Sequence, residues 1–229
     1  MFLSRLQFSN SPTAQALSGF WRSPDSGQRR SAQHNIMWSV FAKEGNSEQE
    51  RDFLWREEGE GSFIALSHRP PMQNDLFRPH VIKEFAPRLK SGDRLAFKLR
   101  ANATRSLENA ETGKSRRLDV VTYDLLSYPM KERGLRRRDV AQSAGTEWIK
   151  RQGAKHGFEI IQNAVTDYKI DVLPRFTVGP RCTPKFGIID MTGLLVVTDP
   201  KKLWDQIIFG FGRAKSFGCG LMLLRGASS

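Results

Sequence analysis

Period-two and helical-period stretches alternate along the chain, and the two periods divide it into short elements. Residues 3–8 predict a short strand. Residues 9–30 are polar and punctuated by Pro12, Gly19, Pro24 and Gly27, which predicts a loop. From 31 to 43 the period becomes helical, with Ile36, Met37, Val40 and Phe41 on one face. Residues 53–57 and 62–67 predict two strands joined through Gly59 and Gly61. A Pro70-Pro71 loop follows, then a weakly helical stretch at 81–85. Residues 94–100 form the cleanest strand pattern, with Leu95, Phe97 and Leu99 alternating against Arg94, Lys98 and Arg100.

The second half carries stronger signals. Residues 117–123 suit a strand that extends or pairs with the preceding one. Residues 140–156 predict an amphipathic helix with Trp148 and Ile149 inward and Lys150, Arg151 and Lys155 outward. Residues 158–172 and 186–198 are β-rich, separated by a basic, proline-containing segment. Asp199-Pro200 predicts a helix start, with Asp as the cap and Pro in the first turn. Leu203, Ile207, Ile208 and Phe211 recur on one face of that helix, and residues 219–225 close as a strand. Strand, helix, strand, strand, helix, strand thus occurs clearly in the second half and loosely in the first. The expected fold is α+β, two tandem ferredoxin-like (RRM-like) domains at 1–92 and 93–229, split near Ser91 to Arg94.

Charge changes the picture from fold to partner. Thirty-six Lys and Arg against twenty-four Asp and Glu give a net +12 and a pI near 10.1. Residues 88–155 hold 17 basic and 8 acidic residues, so most of the excess is concentrated there. A clustered excess suits a polyanion, because neutralising phosphates releases counterions. Cys182 and Cys219 make neither a CxxC spacing nor a disulfide framework. Residues 1–10 lack the apolar run of a signal peptide, and no apolar run approaches membrane-spanning length. The expectation is a soluble, cytoplasmic protein without a membrane partner.

The most specific motif is Gly210-Phe211-Gly212, then Arg213, Ala214, Lys215, Ser216 and Phe217, then Gly218-Cys219-Gly220. A single glycine suffices to end a helix. Four glycines interleaved with Arg213 and Lys215 point instead to close approach of an RNA backbone. A Walker-type phosphate loop is excluded, since it precedes its helix and this segment follows one.

That Gly-hydrophobic-Gly, five residues, Gly-hydrophobic-Gly pattern resembles the signature loop of the CRISPR repeat-associated RNA-binding proteins. More narrowly, Gly193-Leu194-Leu195-Val196-Val197 through Leu221 resembles the C-terminus of the CasE family. Phe97-Lys98-Leu99-Arg100-Ala101-Asn102 resembles its central motif, and Met1-Phe2-Leu3-Ser4-Arg5 its first strand. The resemblance implies two ferredoxin-like domains and metal-independent cleavage of CRISPR precursor RNA at the 3′ base of each repeat hairpin. It also implies retention of the hairpin and assembly with the other Cascade subunits. The family's catalytic histidine lies in the first helix, a few residues before a Trp or other apolar residue, and His34, ahead of Trp38, matches that place. Family members often carry a tyrosine three residues before this histidine; here that residue is Ser31. Ser31, Arg29 and Arg30 are candidates for catalytic support, the two arginines toward the scissile phosphate.

Physical chemistry bears on His34 independently. It falls at the edge of the apolar helical face, where a side chain is both supported and reachable. His34, His68, His80 and His156 make no paired metal-ligand spacing, so neither a metal site nor another cofactor is expected. A histidine suits RNA cleavage, because removing the proton of a 2′-hydroxyl lets that oxygen attack the adjacent phosphorus.

The RNA contacts are assigned to Gly210, Gly212, Arg213, Lys215, Ser216, Gly218 and Gly220 of the loop, and to Arg100. Further candidates are Arg133, Arg136, Arg137 and Arg138 of the basic run, read equally well as a solvated loop, and Arg175, Arg181 and Lys185. Two other readings stand beside this one. A non-catalytic guide-RNA scaffold of the same superfamily keeps the loop but needs no histidine; a ribosomal or translational RNA-binding protein explains the charge but not the loop.

Overall fold

The computed structural model describes residues 1–41, 51–59, 61–108, 115–172 and 185–227. The chain divides into two compact units. The first comprises Met1–Pro87, the segment Asp171–Lys185 as far as it is described, and Lys215–Leu221. The second comprises Arg88–Ile170, Phe186–Ala214 and the end of the chain from Met222.

The first unit is built on a four-stranded antiparallel sheet of β1 (Phe2–Gln7), β2 (Phe53–Gly59), β3 (Ser62–Ser67) and β4 (Val81–Glu84), in the order β2-β3-β1-β4. Between β1 and β2 run two helices, α1 (Pro12–Trp21) and α2 (Ser26–Phe41), where the sequence predicted a loop up to residue 30. The breakers that suggested a loop all occupy positions helices tolerate. Pro12 follows the cap Ser11, whose hydroxyl accepts from the Ala14 N–H, so its missing N–H costs nothing. Pro24 lies between the helices, and the Asp25 carboxylate accepts from the Gln28 N–H at 2.7 Å to start α2. Gly19 faces open space on the outside of α1.

The core of this unit is aromatic: Phe8, Trp21, Phe41, Phe53, Trp55, Phe63 and Phe77 are all buried. Phe8 stacks between Trp21 and Phe77, with ring centroids 4.1 and 4.9 Å away. Trp21 on α1 thus closes one end of the core that Met37, Val40 and Phe41 of α2 cover. The weak helix predicted at 81–85 is instead β4, which pairs with β1 from Phe2↔Glu84 to Arg5↔Val81. Its four side chains are all exposed, so burial imprints no period on them. Among the described residues no helix stands between β3 and β4, and a loop carrying Pro70 and Pro71 takes the place of the second helix of a full ferredoxin-like unit.

The second unit repeats the sheet order in full. Its strands are β5 (Arg94–Ala101), β8 (Phe158–Val172), β9 (Lys185–Val197) and β10 (Met222–Gly226), ordered β10-β5-β9-β8. After β5 comes a separate hairpin of β6 (Thr104–Glu108) and β7 (Ser115–Asp119). Residues 117–123 therefore do not pair with β5: Asp119 ends β7 and caps a short helix, α3 (Val120–Leu125), by accepting from the Thr122 N–H. Helix α4 (Arg133–His156) connects to β8, and α5 (Pro200–Phe209) connects β9 to β10.

Gly145 fits α4 onto the sheet so closely that a Cβ there would come within 2.6 Å of Ile189 and 2.9 Å of Val165. Asp199 caps α5 through the Lys202 N–H as its sequence predicts, though the helix stops before Phe211, which packs instead on Phe158. The architecture is α+β with two ferredoxin-like sheets. No helix among the described residues is long and apolar enough to cross a membrane.

Candidate active site and nucleic-acid interface

His34 lies in the middle of α2, half-buried, one helical turn before Trp38. A short 3₁₀ turn, Lys215–Phe217, packs against α2 and β2 within the same unit. The Ser216 carbonyl lies 2.8 Å from His34 Nδ1, and the Phe217 ring 5.2 Å from the imidazole. A carbonyl oxygen only accepts, so Nδ1 carries the proton and donates it. The neutral ring then has its lone pair on Nε2, which is the atom able to take a proton. The glycine-rich segment therefore meets the candidate histidine by fixing its tautomer.

Arg30, one turn before His34 on α2, is 4% exposed. Its Nε donates to the Asp171 carboxylate and its Nη1 to the Phe217 carbonyl at 3.0 Å. The structure thus places Arg30 as a clamp between α2, the end of β8 and the turn that holds His34. Arg29 donates to the Ser23 carbonyl at 2.8 Å, bracing the turn ahead of α2. Ser31 stands half-buried three residues before His34, on the same side of the helix.

The glycines of the loop answer first to backbone geometry. Gly210, Gly212, Gly218 and Gly220 all have positive φ, and so does Ala214. At Gly218 a Cβ would lie 3.0 Å from the Trp55 ring, so that glycine lets the turn lie flat on the indole. Gly218→Val combines a strained φ with overpacking and is expected to cost roughly 2–4 kcal/mol of stability. Urea unfolding checks this, and an unchanged midpoint would remove the backbone argument. Gly212 approaches the Asn102 carbonyl, to which the Arg213 N–H donates at 3.1 Å.

The two loop cations differ sharply. Arg213 is exposed, whereas Lys215 is 8% exposed. Burial, and secondarily the Arg51 guanidinium, pulls the Lys215 ammonium down to about 8.

The remaining basic candidates divide by what already holds them. Arg100 is engaged by Asp190 through contacts of 3.0–3.2 Å. Arg133 donates to the Tyr128 carbonyl. Arg136, Arg137 and Arg138 are exposed in the first turns of α4, with Arg136 lying over the Tyr128 ring. The basic run is thus helical, and α4 begins seven residues before the position 140 that periodicity suggested. That helix start has no acidic residue in its first turn and no side-chain cap. Cations there add to the positive end of the helix dipole, an arrangement a bound anion relieves. Lys185 is exposed at the start of β9; Arg175 and Arg181 lie outside the described residues. Of the other histidines, His68 is exposed, His80 is half-buried against Phe77, and His156 is half-buried at the end of α4.

Sequence reasoning missed three parts of this site: the Ser216 carbonyl, the Arg30–Asp171 pair and the burial of Lys215. None carries a local signature, because each joins or depends on positions far apart in the chain.

The chain thus combines two ferredoxin-like sheets with a helix-borne histidine held by a glycine-rich turn. The family profile described as CRISPR associated protein matches residues 1–226, and the chain belongs to that family. The likeness to CasE read from the loop and the central motif agrees with this. Among solved structures, a CRISPR endoribonuclease Cse3 bound to a 19-nucleotide RNA is similar, with TM-score 0.67, 19% identity and 98% of each chain covered. The CRISPR-associated protein Cas6e from Escherichia coli K-12 gives TM-score 0.65 and 20% identity, over 99% of this chain and 100% of that one. A chain of a CRISPR RNA-guided surveillance complex gives 0.63 and 18%, over 99% and 100%. At these identities the likeness is one of fold. Comparison with curated protein sequences finds no match.

Proposed function

We propose that this protein is an endoribonuclease that cleaves CRISPR precursor RNA at the 3′ base of each repeat hairpin, keeps the hairpin and joins Cascade with it. The observation that carries this reading is the bond from His34 Nδ1–H to the Ser216 carbonyl, which leaves Nε2 as a base on a half-buried, supported ring. Nε2 takes the proton of the RNA 2′-hydroxyl as that oxygen attacks the neighbouring phosphorus. The 5′-oxygen leaves, giving a 2′,3′-cyclic phosphate and a 5′-hydroxyl. Because the nucleophile belongs to the RNA, no water has to be activated and no step calls for a metal ion.

Arg136, Arg137 and Arg138 on α4, with Arg213, supply exposed charge for the stem phosphates; an A-form stem is read mainly through its backbone and shape. Similarity to an RNA-bound Cse3 and to a chain of a surveillance complex supports RNA and other Cascade subunits as partners.

The test is to incubate the protein with its repeat hairpin in EDTA and analyse the ends. Undiminished cleavage with cyclic-phosphate and 5′-hydroxyl ends is expected. Binding without cleavage would leave a guide-RNA scaffold, and cleavage abolished by EDTA would require a metal nuclease.

A further inference from the structure

We propose that Lys215 is a second proton-transfer group of the His34 site, donating a proton to the 5′-oxygen that leaves phosphorus. The proposal rests on the cleavage reading above and concerns how the leaving group departs.

Position comes first. Lys215, Ser216 and Phe217 form one 3₁₀ turn packed against α2 and β2. The middle residue of that turn holds the base, so the Lys215 Cα is one peptide unit, about 3.8 Å, from the Cα of the residue that orients His34. The turn is itself pinned by Arg30 through the Phe217 carbonyl and by Gly218 on the Trp55 ring. An anchored backbone keeps the stem of Lys215 in one place relative to His34.

Burial comes second. A lysine serving only as a surface contact for phosphate would be exposed, as Arg213 is; Lys215 is 8% exposed. A partly desolvated ammonium interacts strongly with charge developing nearby and gives up its proton more readily. Its pKa, brought down to about 8, suits proton donation near neutral pH. The titratable groups on the elements packed against the turn come from three places. Helix α2 brings His34 and Arg30, the latter paired with Asp171. Strand β2 brings Arg56 beside Glu58, and Glu57, which accepts from Gln33. Arg51 precedes β2 and opposes the charge of Lys215. Ser31 offers only a hydroxyl, far too weak an acid to share this task.

The step balances. The 2′-hydroxyl proton moves to His34 Nε2 as the O2′–P bond forms. The P–O5′ bond breaks, its electron pair stays on O5′, and Lys215 supplies the proton that makes the 5′-hydroxyl. His34 is left protonated and Lys215 neutral, and exchange with solvent restores both.

The experiment compares ordinary hairpin RNA with one carrying a 5′-bridging sulfur at the scissile phosphate, which departs as a thiolate without needing a proton. Under single turnover, Lys215→Ala and Lys215→Arg are expected to lose about 10²-fold on ordinary RNA and to regain most of it on the sulfur substrate. The arginine variant retains charge and bulk but is too weak an acid, so it reads out proton donation even if the alanine variant folds poorly. The parent's rate should fall as pH rises through about 8, where the ammonium deprotonates, and this limb should vanish with the sulfur substrate. A defect of equal size on both substrates, or either variant cleaving ordinary RNA at the parent's rate, overturns the assignment. A parent protein that cleaves neither substrate instead overturns the cleavage reading on which it rests.

Discussion

His34→Ala is expected to slow hairpin cleavage by about 10²–10⁴-fold while leaving hairpin affinity within a few-fold. The asymmetry follows from where the proposed mechanism has His34 act. Its Nδ1–H is spent on the Ser216 carbonyl, an internal bond, and Nε2 engages a proton that moves only during the reaction. A neutral imidazole adds little to ground-state binding, which the proposed reading leaves to the exposed arginines of α4 and to Arg213. The RNA should show the matching defect: a single 2′-deoxy nucleotide before the scissile phosphate removes the nucleophile and should block cleavage by the parent protein. Single-turnover rates and filter-binding affinities on the same preparations separate the two effects. A 2′-deoxy substrate cut at the normal rate would require water as nucleophile and sink the mechanism. Full activity in His34→Ala alone would keep the RNA chemistry but move the base to another residue.

The candidate histidine could be picked out from the sequence and the bonds that hold it could not, for a physical reason. His34 sits beside Ile36, Met37, Val40 and Phe41, a local apolar pattern that a helical period exposes. What orients it comes from 182 residues away, at Ser216, and what pins that turn from Asp171, 141 residues beyond Arg30. Such pairings arise only when Asp171 and the Lys215–Phe217 turn, both remote in sequence from α2, are packed within the first unit. No period or cap records them.

The same contrast runs through the elements. Asp199-Pro200 encodes a helix start within two residues, and β5 alternates because only one of its faces is buried. By contrast, β4 is exposed at all four positions, and the first turns of α4 are nearly all charged or exposed, so neither leaves a burial pattern. Residues 9–30 misled in the opposite direction. Pro12 and Pro24 look like breakers, yet one starts a helix and the other separates two. In the glycine-rich loop the glycines satisfy positive φ and close packing, and the buried lysine is the less expected feature.

Arg30→Ala is expected to be the most destabilising single change in this site, by about 3–5 kcal/mol, because it takes the guanidinium from a buried carboxylate. Arg30 and Asp171 have side chains only 5% and 3% exposed, so water can do little to replace the lost partner. The same substitution removes the donor to the Phe217 carbonyl, one residue from the carbonyl that orients His34. Loss of stability should therefore come with loss of cleavage that persists well below the unfolding transition. Asp171→Asn keeps the shape and one acceptor while removing the charge, and should cost less in both respects. A double-mutant cycle between the two positions, read by urea unfolding, should give a coupling energy of about 1 kcal/mol or more, as contacting residues do. Near-zero coupling would mean the pair does not hold the turn. If Arg30→Ala instead remains stable but loses hairpin affinity alone, Arg30 acts on the RNA phosphate rather than as a clamp.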